Sequence, residues 1–296
     1  MNRKVALITG ASRGIGKACA IKFASNNFDV IINYNNSVNE AENLKKYILE
    51  KYDVSVLCIK ADLSNEDEIK NMVNTIVNEF STIDVLINNA GIAIDSLVED
   101  KTKENFMKTL DVNLIGPFLL TRELSKHIND NGSIVNISST NGIDTYYPYS
   151  LDYDASKAGL ISLTNNLSQI YAPIRVNAVA PGWVMTDMNK ELDEEYVKEE
   201  SSKILLDRFA EPEEIANVVY FLASEEASYI NNTVQTYTAP VSGKYLFHQG
   251  PTIPAWVKRK VLSFNTAWEA MEKSGKCSSS SWCIYSALSV SFLPNL

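Results

Sequence analysis

Tyr153 and Lys157 sit four apart in the stretch Tyr153-Asp-Ala-Ser-Lys157. If a helix begins near Asp152, both side chains lie on one face, one turn from each other. A free phenol titrates near ~10, and a neighbouring ammonium lowers that value toward the range where a phenol exchanges protons near neutral pH. The chemistry such a pair could do is proton transfer. Tyr and Lys at this spacing also occur on ordinary solvated helix faces, so the pair needs a cofactor or substrate site elsewhere in the chain.

A second stretch supplies a place for one. Val5-Ala-Leu-Ile8 predicts a strand buried on both faces, and it runs into Thr9-Gly10-Ala-Ser-Arg-Gly14-Ile-Gly16 ahead of a helical pattern. Glycines let the backbone turn tightly and approach a ligand, while a helix N-terminus offers unpaired N–H groups and a positive dipole end. The expected function is a phosphate cradle made by Gly10, Ser12, Arg13, Gly14, Ile15 and Gly16. The spacing is G-x-x-x-G-x-G, not the G-x-G-x-x-G of the dinucleotide fingerprint. At the end of the next strand, where an acid would hold a ribose 2′-hydroxyl, the chain reads Asn33-Tyr34-Asn35-Asn36-Ser37 with no carboxylate. Arg13 could pair with a 2′-phosphate, so NADP(H) is expected ahead of NAD(H).

The elements that must position these groups alternate along the chain. Strands are expected at Phe28 to Tyr34, Val54 to Lys60, Asp84 to Ile87, Ser133 to Ser138 and Ile174 to Ala180, with helices between them. Ser64 is the expected cap of a helix whose stripe is Ile69, Met72, Val73, Ile76 and Phe80. Asn88-Asn89-Ala90-Gly91 falls at the carboxyl end of a strand, where open α/β sheets bind ligands. Asn113 lies in a long helical pattern interrupted by Pro117 and must find partners if buried. The loop from Asn141 to Asp152 carries Tyr146, Tyr147 and Tyr149, either a substrate wall or ordinary exposed tyrosines. Trp183 to about Lys203 reads as a mobile cover over the strand ends. Glu211-Pro-Glu-Glu214 starts a helix that runs to about Ala223.

Composition removes other classes. The chain has 296 residues, of which 45% are hydrophobic, enough for one large α/β domain or two smaller ones. A formal charge of -9 leaves no domain-sized basic surface to neutralise phosphates, which argues against nucleic acid as partner. The first apolar run is too short for a signal peptide and no window approaches a membrane span, so the cytoplasm is expected. Cys19, Cys58, Cys277 and Cys283 form no C-x-x-C pair, and neither disulfide nor metal is expected. With His127 and His248 the only histidines and no G-x-S-x-G, a Ser-His-Asp hydrolase is a poor fit.

With these motifs in this order, the chain resembles the short-chain dehydrogenase/reductase family from Met1 to about Thr233. Thr9-Gly10-x-x-x-Gly14-x-Gly16 is similar to its cofactor turn and Asn88-Asn89-Ala90-Gly91 to its sheet-stabilising motif. Pro181, Gly182, Val184 and Thr186 are similar to its nicotinamide-side loop, and Asp62 with Leu63 to the pair that contacts adenine. Asn113, Ser139, Tyr153 and Lys157 match its catalytic tetrad; Ser138 is a rival for the serine, but Gly142, three residues after Ser139, fits the family spacing better. The resemblance implies a Rossmann-type, doubly wound parallel sheet of about seven strands with helices on both faces, in a homotetramer. It also implies hydride transfer between NAD(P)H and a carbonyl or alcohol. Tyr153 would protonate the carbonyl oxygen, Ser139 would hydrogen-bond it, Lys157 would lower the tyrosine pKa and hold the nicotinamide ribose, and Asn113 would position a relay water. Cofactor contacts are implied for Asn89, Ala90 and Gly91.

The turn, Arg13 and Arg208-Phe-Ala-Glu-Pro-Glu-Glu-Ile215 look most like the 3-oxoacyl-[acyl-carrier-protein] reductases of fatty acid biosynthesis. The substrate would then be a small carbonyl compound or acyl thioester, free or carried on acyl carrier protein. An NAD-dependent alcohol, sugar or steroid dehydrogenase is the alternative within the family, separable by comparing NADPH with NADH. From another class, a nucleotide-sensing protein without turnover is opposed by the complete tetrad.

Residues 1–233 are thus expected to form the dinucleotide-binding and catalytic domain, and 234–296 an atypical extension. Family members close with an Asp-Gly-Gly-like turn, where this chain reads Val234-Gln-Thr-Tyr-Thr-Ala-Pro240. Pro254 starts an expected helix with Val257, Val261, Phe264, Trp268 and Met271 on one stripe, and Gly275 ends it. Three origins are open: a natural extension packing on the body or a subunit, a partner-binding or membrane-surface helix, and a fused or frame-shifted sequence. The third is favoured, because the cations cluster at the wrong end of the helix for its dipole.

Overall fold

Among the described residues, seven strands pair side by side into one parallel sheet in the order β3-β2-β1-β4-β5-β6-β7. They are β1 Val5–Ile8, β2 Asp29–Tyr34, β3 Val56–Lys60, β4 Ile83–Asn88, β5 Ile128–Ile137, β6 Arg175–Pro181 and β7 Val234–Tyr237. The computed structural model describes residues 3–144, 147–189 and 192–237. Side chains alternate between the faces of each strand, so β1 sends Ala6 and Ile8 to one core layer and Val5 and Leu7 to the other. The first layer packs against α1 (Gly14–Ser25), α2 (Val38–Lys51) and α8 (Pro212–Ala223), with Phe23, Leu44 and Val219 buried. The second packs against α3 (Glu66–Phe80), α5 (Gly116–Leu124) and α6 (Leu151–Ile170), with Met72, Leu120 and Leu167 buried. Each fully buried Leu, Ile or Phe contributes about 1.5–3 kcal/mol, which is why β1, buried on both faces, reads as an unbroken apolar run.

Local chemistry shifts several boundaries. Asn65, not Ser64, caps α3: its side chain accepts from Asp67 and Glu68 backbone N–H groups, while the Ser64 hydroxyl is spent on Asp62 at 2.7 Å. The helical pattern around Pro117 is broken differently from a kink. A short helix α4 (Lys103–Leu110) passes into a π turn at Asp111–Ile115, and α5 restarts with the proline in its first turn, where a missing N–H costs nothing. The strand expected at Ser133 begins at Ile128. Between Trp183 and Lys203, Val184 bridges Ala210, Trp183 stacks on Phe209 with centroids 5.1 Å apart, and α7 (Glu194–Ser202) is capped by Asp193.

The sequence after Thr233 still supplies the last strand: Val234 to Tyr237 pair in register with Ala178 to Pro181. The helix expected from Pro254 lies outside the described residues. Because all seven strands of the described residues lie before Ser242, removal of everything after Ser242 is expected to leave catalytic rate and thermal midpoint unchanged. A large loss of either in the truncated protein would show that the extension supports the body.

Candidate active site

The carboxyl ends of the strands open into a cleft of about 810 Å³, at the switch point where the strand order turns from β1 to β4. Its lining takes in the glycine turn, with Thr186 against Gly14, then Asn35, Asn36 and Ser37, Asp62 and Leu63, and Ser139, Tyr153 and Lys157.

The turn after β1 is built for close approach. Gly10 holds φ +59° and its Cβ would meet Ala90 Cα at 2.9 Å, so a side chain is excluded both by conformation and by space. A Cβ on Gly16 would lie 2.5 Å from Asn89 Nδ2. The helix that follows starts at Gly14 with Arg13 as its N-cap, has no side-chain cap and carries no acid in its first turn. Its first N–H groups and dipole are therefore available to an anion, which fits the phosphates of a dinucleotide. Thr9 and Asn89 lock the turn to β4. The Thr9 hydroxyl accepts from the Asn89 and Ala90 backbone N–H groups at 2.9 and 3.0 Å, and Asn89 Nδ2 donates back to the Thr9 carbonyl at 2.8 Å.

Asn33, which stands at the end of β2 in place of an acid, is buried and braces the turn. Its Oδ1 accepts from Gly10 N–H at 3.3 Å and its Nδ2 donates to the Ala61 carbonyl at 3.1 Å. Arg13 is exposed on the wall at that end. Below the cleft, Asn88 Nδ2 donates to Asn136 Oδ1 at 2.8 Å and Asn136 Nδ2 to the Thr164 hydroxyl at 2.8 Å, a buried polar stitch from β4 through β5 to α6.

At the other end, α6 carries Tyr153 and Lys157 on one face, with the ammonium 5.5 Å from the centre of the phenol ring. Lys157 is 3% exposed and donates to the Ile137 carbonyl at 2.7 Å. Burial pulls its ammonium down to about 8. Burial also pushes the Tyr153 phenol up to about 12, with Asp154 and Asp95 adding to the rise and a hydrogen bond with Ser139 opposing it. The direction is opposite to that expected from the Tyr–Lys spacing. The ammonium stands over the ring 5.5 Å from its centre, and lost hydration of the phenolate is the largest cause of the rise.

The two adjacent serines differ in their commitments. Both line the cleft, but the Ser138 hydroxyl is committed to the Lys157 carbonyl at 2.9 Å, whereas the Ser139 hydroxyl meets Asn141, at 3.2 and 3.4 Å. Asn113 is fully buried in the π turn. Its Nδ2 reaches the Ile92 carbonyl at 2.9 Å and Ser156 at 3.0 Å, and its Oδ1 accepts from Ile92 N–H at 2.8 Å. The Asn113 side chain thus secures the loop after β4, and Gly91 separates it from Lys157.

Of the residues singled out in the sequence, Gly16 and Asn113 do not line the cleft, and Gly10, Ser12, Arg13, Gly14, Ile15, Asp62, Leu63, Asn89, Ala90, Gly91, Ser139, Tyr153, Lys157, Pro181, Gly182, Val184 and Thr186 do. Ile92, Ile94, Lys108 and Asn189 also line it, and they carried no motif. Ile92 and Ile94 directly follow the Asn88-Asn89-Ala90-Gly91 strand end, so extending that motif would have found them. Tyr146 lies outside the described residues, while the Tyr147 and Tyr149 rings meet edge to face at 5.4 Å.

Residues 10–237 match the family model described as Enoyl-(Acyl carrier protein) reductase. The chain is 43% identical over 235 residues to the 3-oxoacyl-[acyl-carrier-protein] reductase of Aquifex aeolicus, covering 78% of this chain and 94% of that one. It is 38% identical over 232 residues to the reductase of the same name from Synechocystis, covering 77% and 92%. Among solved structures, a short chain dehydrogenase from Burkholderia cenocepacia J2315 in complex with NADP superposes with a TM-score of 0.77 at 31% identity, over 81% of this chain and 99% of that one. With its parallel sheet, its strand-end cleft and these relatives over most of its length, the chain belongs to the short-chain dehydrogenase/reductase family of NAD(P)-dependent oxidoreductases.

Proposed function

We propose that this protein reduces the ketone of a 3-oxoacyl thioester with NADPH, in the cytoplasm, the acyl group being free or carried on acyl carrier protein. The observation that carries the reading is the joining of the glycine turn to Ser139, Tyr153 and Lys157 within one cleft. The names of the Aquifex and Synechocystis relatives support the substrate class. The NADP of the Burkholderia relative, together with Arg13 and the carboxylate-free end of β2, supports the cofactor. The turn from Gly10 to Ile15 holds the phosphates, Asp62 and Leu63 the adenine, and Asn89 to Gly91 with Pro181, Gly182, Val184 and Thr186 the remainder. When bound, the nicotinamide supplies the hydride.

Ser139 hydrogen-bonds the substrate oxygen as charge grows on it, and Tyr153 delivers the proton to that oxygen. A phenol held high on the pH scale is a fully protonated acid at neutral pH, which suits the reductive direction. Lys157 holds the nicotinamide ribose and stabilises the tyrosinate left behind. A water at Lys157 returns the proton, and Asn113, committed to Ile92 and Ser156, fixes the loop after β4 beside it. The protein acts as a homotetramer; the exposed Met107 of α4, Ile115 of the π turn and Phe118 of α5 support a subunit contact there.

A cofactor-absorbance assay with NADPH and NADH against acetoacetyl and crotonyl thioesters, simple ketones and sugars tests the reading. Fastest oxidation of NADPH with the acetoacetyl thioester is expected, and a preference for NADH with an alcohol or sugar would transfer the protein to the dehydrogenase alternative. Reduction requires the Lys157 ammonium, so kcat/KM is expected to fall as pH rises through about 8. A flat profile from pH 7 to 9 would remove Lys157 from the role.

A further inference from the structure

The residue that follows the catalytic tyrosine, Asp154, is tied to both ends of the loop that begins at Ser139. Its Oδ1 accepts from Asn141 Nδ2 at 2.7 Å and its Oδ2 from the Tyr147 backbone N–H at 3.1 Å. Asn141 in turn meets Ser139 twice. Its backbone N–H donates to Ser139 Oγ at 3.2 Å, and its Oδ1 accepts from the same hydroxyl at 3.4 Å. The amide can turn its oxygen to Ser139 only while its nitrogen faces away, and a carboxylate, having no donor, holds it that way round. The turn is also seated directly on α6. A Cβ on Gly142 would lie 2.6 Å from the Lys157 carbonyl carbon and 2.7 Å from Ala158 N, so bare backbone packs on bare backbone.

We propose that Asp154, acting through Asn141, is the positioning residue that aims the Ser139 hydroxyl at the substrate oxygen. This inference rests on the role given to Ser139 above. The Asn141 N–H occupies one lone pair of Ser139 and fixes its oxygen. The long bond to Asn141 Oδ1 holds the hydroxyl proton in a defined direction yet is weak enough to be exchanged for a shorter bond to a developing oxyanion. The Asp154 charge itself pushes the neighbouring phenol upward, so the carboxylate helps the site through its geometry.

The test compares Asp154→Ala, Asn141→Val and the double variant, assayed with NADPH and acetoacetyl-CoA, with NADPH affinity and thermal midpoint measured in parallel. Each single change is expected to lower kcat about tenfold to a hundredfold while NADPH affinity is kept, because only the aim of the hydroxyl is lost. The double variant is expected to be no slower than the slower single one, since both cut the same chain of contacts. Asp154→Asn offers one acceptor to the two donors, Asn141 Nδ2 and the Tyr147 N–H, and is expected to fall between the parent and Asp154→Ala. Unchanged kcat in Asp154→Ala, losses that multiply in the double variant, or loss of NADPH affinity in step with kcat would overturn the proposal. If Asp154→Ala fails to fold, Asn141→Val decides alone, since it leaves Asp154 bonded to Tyr147; unchanged kcat there overturns the proposal. Ser139→Ala separates the two levels. Full turnover in that variant defeats the role of Ser139 itself, whereas loss there with full turnover in Asp154→Ala defeats only the positioning.

Discussion

Tyr153→Phe is expected to bind NADPH as tightly as the parent and to lose turnover by about a hundredfold to ten-thousandfold, the usual worth of a positioned general acid. The change removes one oxygen and leaves the ring that packs beside Lys157. Ser139 keeps its contacts to Asn141. The glycine turn lies at the other end of the cleft, so NADPH affinity should not move. Titration of NADPH into the variant, together with its kcat, separates the two effects. Unchanged turnover would mean that another group protonates the product.

Lys101→Met is expected to cost about 3–5 kcal/mol of stability, the penalty of leaving one charge of a buried pair without its partner. Lys101 Nζ lies 2.9 Å from Asp152 Oδ1, with the two side chains 5% and 0% exposed. The ammonium also donates to the Ile94 carbonyl, and Thr109 Oγ1 donates to Asp152 Oδ2 at 2.6 Å. One buried ion pair thereby fastens the first turn of α6, next to Tyr153, to the loop that carries Ile94 into the cleft. Burial would raise the Asp152 carboxyl, but the hydrogen bonds from Thr109 and Lys101 outweigh it and its pKa is lowered. A carboxyl held below its unfolded value contributes stability that is present at neutral pH and is lost as pH falls through the lowered value. Removing both charges in Lys101→Met with Asp152→Asn is expected to restore most of the loss. Denaturant midpoints of the two variants check this, and a cost below about 1 kcal/mol for Lys101→Met would place the pair among ordinary surface ion pairs.

What could be read from the sequence was what depends on near neighbours. The apolar run Val5 to Ile8, the glycines after it and the i,i+4 pair of Tyr153 and Lys157 all act within a few residues, and all are found where expected. The Lys101–Asp152 pair was not legible, since its members are 51 residues apart and a lysine on a polar helical pattern reads as solvated. Asn113 was recognised as needing partners, but the partners, Ile92 and Ser156, come from two other elements. The direction of the Tyr153 shift is hidden for the same reason: spacing shows the nearby ammonium, whereas the loss of hydration at the phenol is a property of the folded chain. Asn65 displaced Ser64 as a cap because Asp62, two residues back, had already taken the Ser64 hydroxyl.

The most direct measurement of the central claim is the absorbance of NADPH mixed with the intact protein and an acetoacetyl thioester. Oxidation that needs both partners, runs faster than with NADH and vanishes in Tyr153→Phe is the expected result. NADPH that binds to the protein and is oxidised with neither this substrate nor any other carbonyl would contradict it.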